Sequence, residues 1–145
     1  MIEIKVNTVK GYKVLISKGL ICEAGNYVNL ISPARKIMVI SDEKVAKLYG
    51  TKLLSSLEKA GLDACIYPIK VGEKSKNIGT YVQIVRDMAA REYTRKDALI
   101  ALGGGVVGDI TGFVASTYMR GIDFIQIPTT LLSAIDAAIG GKNGI

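Results

Sequence analysis

Short apolar segments alternate with longer helical segments along most of this chain, and this alternation constrains the fold more than any other feature. The segments between the apolar runs have helical periodicity and extend over about ten residues or more. Such an alternation is typical of βαβ units, which form a mostly parallel sheet. We therefore predict an α/β fold, a Rossmann-like, mostly parallel sheet with helices on both faces. The predicted sheet strands are 37–40, 64–69, 98–102 and 123–127.

Local signals predict the remaining elements. β-forming residues at 2–6 and 12–17 flank Lys10-Gly11, which predicts a short N-terminal β-hairpin before the sheet. Pro68 favours an edge or terminal position for its strand. Ser41 is predicted to cap the helix after the first sheet strand. The predicted helices span 19–30, 41–59, 77–92, the segment from the glycines at 103–105 to 118, and 130–139.

Length and composition indicate one globular domain. The chain has 145 residues, of which 49% are hydrophobic and 22% charged, and this balance excludes a disordered chain. No apolar run approaches the ~20 residues that cross a bilayer. The first residues lack the pattern of a secretory signal, so we expect a cytoplasmic protein that does not insert into membranes. The net charge of +6 is scattered, which favours anionic small molecules over nucleic acid.

The absence of histidine excludes several kinds of catalytic site. Ser-His and Cys-His nucleophilic systems and imidazole-bound metals cannot form within this sequence. The two cysteines, Cys22 and Cys65, fit no zinc-binding spacing and are predicted to be buried among apolar residues. Any proton transfer must then use Lys, Asp, Glu, Tyr, a cofactor or the substrate itself.

The sequence ALIALGGGVVGD at 98–109 carries the strongest signal for ligand binding. A strand runs into three glycines and then a helix, so the backbone can approach a phosphate and the first helical amides can point at it. Gly103, Gly105 and Gly108 satisfy G-x-G-x-x-G, although that fingerprint ordinarily belongs to the first βα unit of its sheet. The alternative is a tight strand-helix turn without a ligand. Asp109 would stabilise the helix dipole or accept a hydrogen bond from a bound nucleotide.

The sequence IQIPTTLLSAIDAAIGGK at 125–142 carries further polar candidates. Thr129 or Thr130 would cap the next helix or contact a nucleotide over the neighbouring glycines. Asp136 stands among apolar residues, where a desolvated carboxylate requires a partner. Lys142 is the candidate, either for Asp136 or for an anionic substrate. Two other loops are candidates. Asp42 would contact a nucleotide or serve as an ordinary helix cap. Residues 72–76 would contact a nucleotide or form a solvated turn.

Together these segments resemble the 3-dehydroquinate synthases. The motifs are GEKSK at 72–76, RKDALIALGGGVVGDITGFVASTYMRG at 95–121 and the sequence at 125–142. The resemblance is weak before Asp42 and strong after Asp97. It implies a homodimer that uses NAD and acts on an anionic sugar phosphate, 3-deoxy-arabino-heptulosonate 7-phosphate. The implied product is 3-dehydroquinate, formed with loss of phosphate after transient oxidation of an alcohol.

The resemblance also implies roles for individual residues. Asp136, Lys142 and Arg120 match catalytic positions that face the substrate. Asp42, Glu73 and Lys76 match the adenosine and phosphate side of the cofactor. The whole set of implied cofactor contacts is Asp42, Gly72, Glu73, Lys76, Gly104, Gly105, Val106, Val107, Gly108, Asp109, Thr129, Thr130 and Lys142.

Two departures from the family limit what this chain can do. Family members are much longer, and the resemblance places their zinc or cobalt ligands, a glutamate and two histidines, in a C-terminal metal-binding domain absent from these 145 residues. The family commonly reads GGKTAVN where this chain reads GGKNGI, so Asn143 replaces a threonine. We therefore expect residues 1–145 to form an NAD-binding domain that does not turn over substrate. The alternatives are another sugar phosphate cyclase, a polyol or glycerol dehydrogenase-like domain, and a non-catalytic nucleotide-binding module.

Overall fold

The computed structural model describes residues 1–8, 11–141 and 143–145, and it confirms the α/β class. Two strands, β1 (Ile2–Val6) and β2 (Tyr12–Ile16), pair antiparallel as the predicted hairpin. In the turn between them, Gly11 has a φ of +62° and Lys10 lies outside the described residues. The parallel sheet contains β3 (Lys36–Asp42), β4 (Asp63–Ile69), β5 (Ala98–Gly103) and β6 (Asp123–Pro128).

The parallel sheet has the strand order β4-β3-β5-β6. From β3 the chain first crosses to β4 on one side, and it then returns past β3 to add β5 and β6 on the other. The central strands β3 and β5 are buried on both faces, as near-continuous apolar runs require in parallel sheets. Pro68 lies on the edge strand β4, as predicted, where one side of the strand has no ladder to interrupt.

The helical elements agree with the predicted ones in order, and three of them differ in detail. The predicted helix at 41–59 begins at Glu43 and contains a π-helical turn at Ala46–Gly50. The predicted helix at 19–30 is interrupted at Glu23, whose φ and ψ of −117° and 5° are not helical. The predicted helix at 130–139 is shorter and ends in a π-helical turn, which the Ala138 amide closes on the Ser133 carbonyl at 2.8 Å. None of the described helices is long and apolar enough to span a membrane.

The bounds of these elements are as follows in chain order. A 3-10 turn (Leu20–Cys22) precedes α1 (Ala24–Ile31), and α2 (Glu43–Val45) continues through a π-helical turn (Ala46–Gly50) into α3 (Thr51–Lys59). A 3-10 turn (Glu73–Ser75) precedes α4 (Ile78–Ala90). The last elements are α5 (Gly105–Thr117), a 3-10 turn (Tyr118–Arg120) and the π-helical turn (Ser133–Ala137).

The sheet separates two apolar layers, because alternate residues of each strand point to opposite faces. On β3, Met38 and Ile40 pack with Ile84 of α4 and Ile110 of α5 on one face. On the other face, Ile37 and Val39 pack with residues of α1 and α3, including Val28, Leu53 and Leu57. The central strands β3 and β5 are therefore packed on both faces, and this packing fixes the position of their carboxyl ends.

The predicted cap at Ser41 is wrong. Ser41 is completely buried within β3, which continues two residues beyond its predicted carboxyl end, and its hydroxyl donates to the Leu102 carbonyl at 2.7 Å. Asp42 is the N-cap instead, since its side chain accepts hydrogen bonds from the amides of Lys44 and Val45. Both residue types cap helices, so only the length of the strand decides between them.

The prediction that both cysteines are buried is also wrong. Cys22 is exposed in the 3-10 turn before α1. Cys65 is half-buried, because β4 is an edge strand. Its thiol lies 3.4 Å from the Tyr93 hydroxyl.

The chain after β6 packs along a glycine-lined face of α5. Gly105, Gly108 and Gly112 are spaced by three and four residues, so they share one helix face. A Cβ on Gly105 would lie 3.7 Å from the Ala137 methyl, and one on Gly112 would overlap the side chain of Asn143. The glycines therefore allow the π-helical turn and the residues beyond it to lie close to α5.

Candidate functional site

A cleft opens at the carboxyl edge of the parallel sheet, where the winding of the chain reverses between β3 and β5. Open α/β sheets bind their ligands at this point, because the loops on either side diverge there. The cavity volume in this cleft is about 170 Å³, smaller than a typical drug-sized site, and the cleft is open to solvent. Residues that follow the ends of all four strands line it: Asp42, Val45, Ile69, Lys70, Gly72, Gly104, Gly105, Val106, Val107, Thr129 and Thr130.

The glycines after β5 form one wall of the cleft. A Cβ on Gly103 would lie 2.6 Å from the Val107 side chain, so only glycine lets the strand turn directly into α5. A Cβ on Gly104 would lie 3.2 Å from Thr130 Cγ2 across the cleft. The amides at the start of α5 have no carbonyl partner within the helix, and with the helix dipole they favour an anion.

Two threonines after β6 form the opposite wall. The Thr129 amide donates to the Gly103 carbonyl at 2.9 Å and extends the ladder between β5 and β6 beyond the last paired residues. Thr130 is the cap, since its hydroxyl accepts from the Ser133 amide at 3.2 Å. The Thr129 hydroxyl is buried without a hydrogen-bond partner among the described residues. A buried hydroxyl without a partner is costly.

Asp42 lies at the end of β3, where it both caps α2 and lines the cleft. Both capping bonds, from the Lys44 and Val45 amides at 3.0 and 2.9 Å, end on Oδ1. The second carboxylate oxygen carries neither bond. Asp42 can therefore cap α2 and accept a hydrogen bond from a ligand at the same time.

Asp42→Ala should lower the free energy of unfolding by about 1 kcal/mol, because both capped amides lose their acceptor. Asp42→Asn should stay close to the parent protein, since its amide oxygen still accepts. Urea denaturation followed by circular dichroism measures both variants. Equal losses in the two variants would contradict the capping role.

An ion pair ties the loop after β4 to the start of α5. Lys76 Nζ lies 2.8 Å from Asp109 Oδ2 and 3.8 Å from Glu73 Oε1. The Lys76 and Asp109 side chains are about one-quarter exposed, whereas Glu73 is mostly exposed. The hydrogen bond with Asp109 raises the pKa of Lys76, and burial opposes this rise only in part. Lys76 and Asp109, which the family resemblance assigns separately to the cofactor, thus form an ion pair with each other.

The Lys76 pair should add stability that disappears only at high pH. A lysine whose folded pKa is raised stabilises the protein fully below its ordinary value of 10.5 and loses the effect as the pH rises through the folded pKa. Lys76→Met should therefore cost about 1 kcal/mol or less at pH 7, and the cost should begin to fall above pH 10.5, as the pH approaches the raised pKa of Lys76. Urea denaturation between pH 7 and 11 measures it. Lys74→Met, in the same 3-10 turn, is the control and should show no such pH dependence.

The remaining predicted site residues are distributed unevenly around the cleft. Gly108 and Asp109 lie one helical turn beyond the cleft lining, and Gly108 faces the Gln126 amide instead. Arg120 is exposed in the loop between α5 and β6, at the amino edge of the sheet and across it from the cleft. Lys142 lies outside the described residues.

The expectation that Asp136 is desolvated is wrong. Asp136 is exposed on the π-helical turn, so its carboxylate is solvated and requires no partner. Its apolar neighbour Ile135 is also exposed, so the turn presents this stretch of the chain to solvent. Three cleft residues, Val45, Ile69 and Lys70, were not predicted. Ile69 and Lys70 could have been found, since Ile69 is the last residue of a predicted strand and Lys70 follows it.

No metal-binding group is present among the described residues. Within residues 1–8, 11–141 and 143–145, no three or more His, Cys, Asp or Glu side chains lie close enough to hold an ion. Thus the described residues that line the cleft offer backbone amides, hydroxyls, the Asp42 carboxylate and the Lys70 ammonium group.

Comparison with known proteins places this chain in a family. The sequence profile described as "3-dehydroquinate synthase N-terminal" matches residues 66–145, more than half of the chain. The chain belongs to the 3-dehydroquinate synthase N-terminal family. A curated 3-dehydroquinate synthase from Streptococcus suis (strain 05ZYH33) is 46% identical over 134 residues, which are 92% of this chain and 38% of that protein. The chain therefore spans well under half the length of such relatives.

Solved structures confirm the fold of this family member. A 2-epi-5-epi-valiolone synthase from Streptomyces hygroscopicus subsp. jinggangensis 5008, with NAD+ and Zn2+ bound, is 30% identical with a TM-score of 0.79. The match covers 98% of this chain and 39% of that one. A 2-deoxy-scyllo-inosose synthase complexed with carbaglucose-6-phosphate, NAD+ and Co2+ is 23% identical with a TM-score of 0.86. That match covers 94% of this chain and 37% of the other, and it shows a shared fold.

Proposed function

We propose that this chain is the NAD-binding part of a 3-dehydroquinate synthase. The observation that carries the proposal is the cleft that the glycines at the start of α5 share with Asp42, Thr129 and Thr130, in a chain of this family. The NAD+ in the solved valiolone synthase supports the same cofactor here. The glycine wall, the unsatisfied helix amides and the hydroxyl all fit a dinucleotide.

Each wall of the cleft would hold a different part of NAD. The amides at the start of α5 would donate to the pyrophosphate, and Gly104 and Gly105 would let it approach the backbone. The Thr129 hydroxyl would gain the partner that the described residues do not supply. Asp42, at the end of β3, would accept from a ribose hydroxyl through the oxygen that does not cap α2. The Lys76–Asp109 pair would fix the loop at 70–76 beside the cofactor.

We infer that the full-length enzyme converts 3-deoxy-arabino-heptulosonate 7-phosphate to 3-dehydroquinate. When bound, NAD supplies the transient oxidation of an alcohol, which acidifies the adjacent C–H and allows phosphate to leave. Asp136 and Lys142 are the proposed substrate contacts of this chain, since both follow the threonine wall in sequence. Arg120 would contact substrate only through a different surface, because it lies across the sheet from the cleft.

The metal of the full-length enzyme does not fit the described residues of this chain. They contain no suitable group of ligands, and the sequence contains no histidine. We propose that zinc or cobalt is held by the part of a full-length family member that residues 1–145 do not cover. The full-length enzyme is proposed to be a cytoplasmic homodimer.

Isothermal titration calorimetry of the 145-residue chain with NAD tests the proposal. We expect saturable binding at one site and no phosphate release from the heptulosonate phosphate in a coupled assay. Asp42→Asn should bind NAD more weakly than the parent protein although it keeps the cap, since a neutral amide accepts a ribose hydroxyl less strongly than a carboxylate. No NAD binding by a folded chain would refute the cofactor assignment, and phosphate release would refute the need for a further domain.

A second cyclase activity is the competing proposal. The solved structures that share this fold include cyclases that make valiolone and inosose products. The higher identity to curated 3-dehydroquinate synthases, 46% against 30%, favours dehydroquinate. The chain joined in one polypeptide to the remaining part of the Streptococcus suis relative should release dehydroquinate from the heptulosonate phosphate. An active fusion that accepts a different sugar phosphate instead would favour the competing proposal.

A further inference from the structure

Two opposite charges lie on neighbouring strands at the carboxyl edge of the sheet. Asp42 and Lys70 are the only charged residues among the described ones that line the cleft. Asp42 pairs with Ile69 across β3 and β4, so Lys70 is one residue beyond the partner of Asp42. Paired strands lie about 4.8 Å apart, and a lysine has a flexible four-carbon stem. The Lys70 ammonium group can therefore reach a ligand that is bound at Asp42.

The backbone of Lys70 is anchored on both sides, whereas its side chain is exposed in the cleft. Ile69, immediately before it, is buried in the apolar layer that contains Met38. The hydroxyl of the buried Ser75 donates to the Lys70 carbonyl at 2.6 Å, which ties the loop after β4 back to the strand end. Within the described part of the chain, the Lys70 ammonium group forms no ion pair. Its charge is therefore held at the cleft and is available to an anionic group of a ligand.

The strand order determines which part of a dinucleotide would lie nearest to Lys70. In the order β4-β3-β5-β6, the glycines that would receive the pyrophosphate follow β5, and Asp42, which would accept from a ribose, follows β3. Lys70 follows β4, which is one strand from β3 and two strands from β5. It therefore lies beyond that ribose, on the side away from the pyrophosphate. A phosphate on the 2′-hydroxyl of the adenosine ribose is the anionic group that NADP carries and NAD lacks.

We propose that Lys70 is a specificity-determining residue, which lets the cleft accept the 2′-phosphate of NADP in addition to NAD. This inference rests on the proposed function. The Asp42 carboxylate disfavours the same phosphate, because like charges repel, whereas the Lys70 ammonium group attracts it. Specificity is a difference between two affinities, so the balance of these two charges sets the ratio of the dissociation constants for NADP and NAD. Asp42 without Lys70 would exclude NADP.

Calorimetric titration of the 145-residue chain with NAD and with NADP tests the proposal. We expect the parent chain to bind both, with dissociation constants that differ by about tenfold or less. Lys70→Met should weaken NADP binding about tenfold, because a charge-assisted hydrogen bond is lost, and should leave NAD binding nearly unchanged. Asp42→Asn keeps the cap and should shift the ratio about tenfold towards NADP, since the repelling charge is removed. The matched control Lys74→Met removes an exposed lysine outside the cleft lining and should change neither constant.

Several outcomes overturn the proposal. A parent chain that binds NAD but not NADP refutes it and leaves the proposed function intact. Equal weakening of NAD and NADP in Lys70→Met also refutes it, since Lys70 would then contact a group that both cofactors share. An equal loss of NADP binding in Lys74→Met would show that surface charge in general, and not Lys70, attracts the phosphate. A folded chain that binds neither cofactor refutes the proposed function and this inference together.

Discussion

Gly105→Leu should weaken NAD binding at least 100-fold while the chain stays folded. Gly105 begins α5 and lines the cleft opposite the threonines. A Cβ at this position meets only the Ala137 methyl at 3.7 Å, an ordinary contact, so the helix can accept a side chain. The remaining carbons of leucine would extend from this Cβ and narrow the cleft that Gly105 lines, where we propose that the pyrophosphate approaches the backbone. A 100-fold loss corresponds to about 2.7 kcal/mol of binding free energy.

Gly105→Ala is the matched control for this substitution. It adds only the tolerated Cβ, so NAD binding should weaken by about tenfold or less. Its free energy of unfolding should rise by about 0.5–1 kcal/mol, since alanine is favoured over glycine in a helix. Calorimetry measures binding and thermal circular dichroism measures folding for both variants. A folded Gly105→Leu protein that binds NAD like the parent protein would place the cofactor away from the glycine wall.

The order and type of the elements could be predicted from sequence because each βα unit is specified locally. The apolar runs at 37–40 and 98–102 are strands buried on both faces, so their composition alone distinguishes them from the helices. The two π-helical turns could not be predicted, since their residues have ordinary helical composition. Likewise, the extension of β3 to Asp42 depends on pairing with β4, which lies more than twenty residues away.

The candidate site was predicted where it depends on the end of a strand. Asp42, Gly104, Gly105, Thr129 and Thr130 all follow strand ends, and the structure brings them into one cleft. The Lys76–Asp109 pair could not be predicted, because its members belong to separate βα units that the fold brings together. The exposure of Asp136 was missed for a similar reason. Its apolar neighbours in sequence suggested burial, but the turn presents them to solvent.

Gly25→Val should lower the free energy of unfolding by about 3 kcal/mol, because α1 packs on α3 through this glycine. The Gly25 amide donates to Ser56 Oγ at 3.0 Å. A Cβ on Gly25 would overlap the Ser56 carbonyl oxygen and lie 2.7 Å from the Ala60 methyl. Since the overlapping atom belongs to the backbone, the neighbour cannot rotate away, and α1 must move off the apolar layer that contains Val28.

Two further variants separate this steric cost from other effects in urea denaturation. Ser56→Ala removes the hydrogen bond at the same contact and should cost about 1 kcal/mol. Gly140→Val adds the same side chain where a Cβ would meet no described atom within 4 Å, and should change stability by about 0.5 kcal/mol or less. Domains of this kind are stable by only about 5–15 kcal/mol, so a 3 kcal/mol loss should be plain in the urea midpoint. Equal stability of Gly25→Val and Gly140→Val would show that α1 does not pack on α3 at Gly25. Another element would then have to cover the apolar layer beneath α1.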